Sequence, residues 1–120
     1  MSATVRELIK AIQREMRETP DLLPDRAADM LKDLASLYGN CLDELRNRLM
    51  IYNRVKRIAF ETELKANRAK ILAETDESYE AWLEAKDTKD LCLELIRSLK
   101  YYLRQQSRNS KLAEANDLLR

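Results

Sequence analysis

Apolar residues recur every three or four positions along nearly the whole chain, and the places where that rhythm stops divide it into helices. Val5, Leu8, Ile9, Ile12 and Met16 form the first stripe and predict an amphipathic helix over residues 3–18. The stretch Thr19-Pro20-Asp21-Leu22-Leu23-Pro24-Asp25 then holds both prolines, with Pro24 and Asp25 placed to end one helix and start the next. Leu31, Leu34, Tyr38, Leu42, Leu45, Leu49, Tyr52, Val55 and Ala59 step onward without a missed turn, which predicts one long helix over residues 26–74. At about 1.5 Å per residue it would be roughly 70 Å long. Gly39-Asn40 is its weak point, but the stripe keeps phase there, so the glycine reads as tolerated inside the helix rather than as a cap.

Thr75-Asp76-Glu77-Ser78 clusters capping side chains with acidic first-turn residues, the mark of a new helix start. Tyr79, Trp82, Ala85, Leu91, Cys92, Leu95, Ile96, Leu99 and Leu103 line a third helix over residues 77–107. Ser107-Arg108-Asn109-Ser110 interrupts it, and Leu112, Ala115, Leu118 and Leu119 make a short tail helix over 111–119. The expected architecture is all-α, a single helical domain spanning residues 1–120. A short first helix precedes a long antiparallel, coiled-coil-like hairpin. One short helix offers too little surface to cover two long apolar stripes, so the hairpin is expected to self-associate, with Trp82, Leu95, Leu99 and Leu103 at the interface.

Composition narrows the function. Ala, Glu, Lys, Leu and Arg make up 67 of the 120 residues, with one Gly and two Pro, a balance that excludes a β-rich fold. The chain has no histidine, which removes the usual general base, the commonest metal ligand and every His-dependent triad. A single glycine leaves no Gly-rich phosphate cradle. The expectation is a protein that is not an enzyme and carries no metal or cofactor. No apolar run approaches the roughly 20 residues of a membrane span, and the start Met1-Ser2-Ala3-Thr4-Val5-Arg6 has no signal-peptide core. A cytoplasmic protein without a membrane partner is expected. Cys41 and Cys92 fall in apolar helical patterns, the setting of buried thiols, and whether they are bonded stays open at this level.

The net charge of +1 conceals blocks. Residues 46–70 carry eight cations against Glu61 and Glu63, residues 74–90 seven carboxylates against Lys86 and Lys89, and residues 97–111 five cations and no acid. A hairpin turn near residue 76 would pair Arg68 with Glu84 and Lys65 with Asp87, and would set Arg97 near Val55, Lys100 near Tyr52 and Arg104 near Arg48. Positive would then face positive at the far end. Arg97, Lys100, Arg104, Arg108 and Lys111 share one helical face with Tyr101 beside it. Cations aligned on a rigid rod next to an aromatic suit phosphates and stacked bases, so Arg54, Arg57, Lys65, Arg68, Arg97, Lys100, Tyr101, Arg104 and Arg108 are the candidate nucleic-acid contacts.

Tyr38 with Leu42, the basic amphipathic stretch after them, and Leu64-Lys65-Ala66-Asn67-Arg68 together resemble the UvsY-type recombination mediators of bacteriophages. Leu91-Cys92-Leu93-Glu94-Leu95-Ile96-Arg97-Ser98-Leu99-Lys100 is similar to that family's C-terminal oligomerisation helix. Asn67 sets Arg68 one residue further from Lys65 than the family pattern has it. The resemblance implies a homo-oligomer closed into a ring that binds single-stranded DNA and helps a RecA-like recombinase displace the single-strand binding protein, with Lys65 and Arg68 on phosphates. The alternative is a helical scaffold or adaptor of a replication or phage-assembly complex that touches no nucleic acid.

Overall fold

The computed structural model describes residues 3–119, so Met1, Ser2 and Arg120 lie outside it. Helices α1 (Val5–Glu18), α2 (Pro24–Thr62), α3 (Ala66–Glu74) and α4 (Glu77–Leu118) follow one another, with no strand among the described residues. The all-α expectation holds. Thr4 caps α1, its hydroxyl accepting from the Glu7 N–H at 3.1 Å. Pro24 opens α2, where a missing N–H costs nothing. Asp76 stands before α4 and accepts from the Ser78 N–H at 2.9 Å. Gly39 lies inside α2 with open space around it, as its phase in the stripe requires.

Two boundaries differ from the expected ones. The helix expected over 26–74 is broken at residues 63–65, where the Thr62 hydroxyl bonds back to the Ile58 and Ala59 carbonyls and Lys65 turns extended. Ser107-Arg108-Asn109-Ser110 does not interrupt the last helix, and α4 runs through to Leu118. Serine and asparagine are mediocre helix formers, but without Pro or Gly they do not force a stop.

The packing divides the chain into two compact units. The first comprises the residues up to Leu37 and those from Leu91 onward, so it combines α1, the start of α2 and the later part of α4. Ile9, Ala27, Met30, Leu34, Cys92 and Leu99 are its fully buried positions. Within it α2 and α4 run antiparallel, since the Cys92 thiol reaches the Leu34 carbonyl at 3.4 Å and the Tyr102 hydroxyl donates to the Leu22 carbonyl. Arg26 clamps Glu15 with two hydrogen bonds of 2.6 Å, joining α2 to α1.

The second unit, Tyr38–Asp90, is built around Tyr52 of α2. Its ring stacks on Trp82 with centroids 5.5 Å apart and planes 4° apart, and Tyr79 lies 5.2 Å away. Lys86 covers Trp82 at 5.8 Å. Burial, with the Glu74 charge and Tyr79 adding to it, pushes the Tyr52 phenol above its ordinary pKa. Ala59, Ala69 and Ala73 complete the cluster. At nine residues α3 is too short to be stable alone, and it owes its existence to seating Ala69 and Ala73 against these rings.

Candidate nucleic-acid interface

The break before α3 changes which residues meet. Tyr52, expected opposite Lys100, lies against Tyr79 and Trp82 instead. The cause is the path of residues 63–76, which form a separate helix and its flanking turns rather than the last turns of α2. The pairings that assumed a turn at residue 76 therefore fall. Lys65 and Arg68 are exposed and in no ion pair among the described residues, so they do not clasp Asp87 and Glu84. Arg48, expected near Arg104, pairs with Glu44 at 3.6 Å and lines a hollow with Asp76, Glu77 and Ala81.

The candidate cations consequently split into two sets. Arg54, Arg57, Lys65 and Arg68 belong to the second unit, all exposed, with Arg57 reaching Glu61 at 4.0 Å. Arg97, Lys100, Tyr101, Arg104 and Arg108 belong to the first unit, on α4. All five are exposed, and the four cations enter no ion pair among the described residues. The Tyr101 side chain is 62% exposed. Its neighbour Tyr102 is turned inward and anchored on the Leu22 carbonyl, which holds the helix so that Tyr101 stays outward. From Arg97 to Arg108 the rise of a helix spreads the cations over about 16 Å.

Of the four residues expected at a subunit interface, two are buried within the chain and two are half-buried. Leu99 is 1% exposed and Leu95 7%, both packed in the first unit, and Leu103 is half-buried there. Trp82 stacks in the aromatic cluster of the second. Burial within the chain covers Leu95 and Leu99, the deeper two of the four.

The exposed apolar side of α3 and of the end of α2 was missed. Ile58, Leu64, Ile71 and Leu72 are all at least half exposed, Leu64 completely. The signal was available for Ile71, which lies about 160° around the helix from both Ala69 and Ala73.

Among the described residues no group of three His, Cys, Asp or Glu could hold a metal ion, and no helix is long and apolar enough to cross a membrane. Cys41 and Cys92 are buried and not disulfide-bonded. No family model, no curated protein and no solved structure matches the chain.

Proposed function

We propose that this protein binds single-stranded nucleic acid through the outward face of α4, as a non-catalytic accessory of recombination or replication. The observation that carries the reading is the run Arg97, Lys100, Arg104 and Arg108, exposed and without ion pairs among the described residues, flanking an exposed Tyr101. Guanidinium and ammonium groups held on one rigid helix follow a phosphate backbone, and the tyrosine ring offers a base a surface to stack on. The more specific role, loading a RecA-like recombinase onto single-stranded DNA in place of single-strand binding protein, rests on the resemblance of residues 38–105 to the phage mediators. Assembly of several copies would join short cationic sites into a longer track, raising affinity through effective concentration.

The test is titration of a fluorescent single-stranded oligonucleotide at several salt concentrations. Four phosphate contacts predict a log–log slope of about −2.8 and a loss of roughly 50-fold in affinity between 50 and 200 mM salt. Replacing Arg97, Arg104 and Arg108 with Gln leaves a slope of about −0.7. Binding that ignores salt, or that survives the triple substitution unchanged, refutes the proposal.

One observation favours the adaptor reading as a second one: Ile58, Leu64, Ile71 and Leu72 of the second unit are each at least half exposed. On that reading a protein partner covers α3, and loss of its capture on Leu72→Ser with oligonucleotide binding intact would separate the two roles.

A further inference from the structure

The last three turns of α4 carry their leucines away from the buried side of their own unit. Every residue from 107 to 119 is exposed. Continuing the buried side of α4 past residue 107 brings up Ser110, Ala113 and Asp117, with no large apolar side chain among them. Leu112, Ala115 and Leu119 stand instead about 140–160° around the helix from Leu99, at about 100° per residue. The helical bonding continues to its end, since the Leu119 N–H still donates to the Ala115 carbonyl at 3.2 Å. Leu112 is 62% and Leu119 85% exposed. The stripe faces away from the packing of its own unit, so no tightening of that unit would bury it.

A receptor of matching size and opposite charge lies in the same unit. α1 and α2 leave between them an open groove of about 360 Å³, lined by Leu8, Ala11, Ile12 and Leu37, with Glu15, Arg26, Asp33 and Ser36 at its polar edge. Leu8 is 43% exposed there. The groove runs from Leu8 to Glu15 along α1, seven residues, as does the stripe from Leu112 to Leu119. Arg26 is committed to Glu15, and the Asp29 and Asp33 charges lie close enough to favour its charged form. Beside the mutually paired Glu15 and Arg26 the groove edge carries Asp33, whereas the tail carries Lys111 next to its stripe and keeps Glu114 and Asp117 on the opposite side of the helix.

We infer that the α4 tail of one copy of this chain docks in the α1–α2 groove of a second copy. Leu112, Ala115 and Leu119 meet Leu8, Ile12 and Leu37, while Lys111 lies along Asp29 and Asp33. The exchange is reciprocal in a two-fold pair, each copy giving a tail and receiving one. This assembly goes beyond the nucleic-acid reading and does not depend on it.

The test measures the mass of the full-length protein by sedimentation equilibrium over a range of concentrations. The unaltered chain is expected to self-associate. Leu112→Asp with Leu119→Asp should weaken association by at least about 100-fold, since each of the two tails in the pair loses the burial of two leucine side chains. Leu8→Asp in the groove should act likewise, with helix content by circular dichroism unchanged in both variants because all three positions are exposed. An equal mixture of tail variant and groove variant should regain association, because each pair keeps one intact tail and one intact groove. Lys111→Glu should weaken the pair and Asp33→Lys added to it should restore it. An Ala11→Cys, Ala115→Cys double variant should give a disulfide-linked dimer on oxidation. A monomer at all concentrations, an oligomer indifferent to Leu112 and Leu119, or no cross-link from the cysteine pair would each overturn the inference, whatever the outcome of the oligonucleotide titration.

Discussion

In α3 the usual ranking of side chains is inverted, and that makes a sharp test of the packing. Ala73 is 1% and Ala69 0% exposed, pressed against Tyr52, Ala59, Tyr79 and Trp82, while Ile71 is 63% exposed. Ala73→Leu adds three carbons where the rings leave no room, a change that costs about 1–3 kcal/mol through displaced neighbours. Ile71→Ser removes a large apolar side chain from a position that buries little of it, and should alter stability by about 0.5 kcal/mol or less. At roughly 4 °C per kcal/mol for a chain of this size, the first variant melts about 4–12 °C lower and the second within about 2 °C. Urea titration followed by the fluorescence of Trp82, the single tryptophan, reads the cluster directly. Far-UV circular dichroism reads the helices of both units, and coincident transitions would license a two-state free energy. The reasoning fails if Ile71→Ser destabilises the protein more than Ala73→Leu, because α3 would then be held by its bulky residues and not by its alanines.

Other consequences can be checked alongside it. Leu99→Ala removes a fully enclosed side chain from the first unit and should cost about 2–5 kcal/mol by denaturant titration. Thr4→Ala removes the oxygen that accepts from the Glu7 N–H and should cost about 1 kcal/mol, seen as loss of helix at the start of α1. The hydrogen bonds and charge of Arg26 hold the Glu15 carboxyl below its ordinary value near 4.5. Its contribution to stability is then fully present above that value and is lost as the pH falls through the lower folded value, so Glu15→Gln should flatten the acid limb of a stability–pH curve. Cys41 and Cys92, buried and not bonded to each other, should react with a thiol reagent only when the chain unfolds, both appearing in urea and neither in native buffer.

The α4 cations were legible because position around a helix follows from spacing alone: residues 97, 100, 104 and 108 share a face wherever that helix packs. Their exposure agrees with the stripe of Cys92, Leu95 and Leu99 taking the buried side. The break at residues 63–65 was not legible, since Glu63-Leu64-Lys65 contains neither Pro nor Gly and the local preference does not oppose a helix. Once that break shifts the pairing, every contact inferred between distant residues shifts with it, from Arg68 with Glu84 to Tyr52 with Lys100.

Helical character, the proline stop between the first two helices, the start at Asp76 and the charged and apolar faces of each helix all follow from local order, because they depend on residues within a turn or two of one another. Which apolar stripe is covered, and by what, does not. Leu95 and Leu99 were as good candidates for a subunit interface as for a core until the α1 and α2 segments were seen to form one unit with them. Ala69 and Ala73 outrank Ile71 and Leu72 only because the Tyr52, Tyr79 and Trp82 rings stand where a small side chain permits close approach. Hydrophobic burial has no direction of its own, so the choice among equally apolar faces is made by the shape of the surface that meets them.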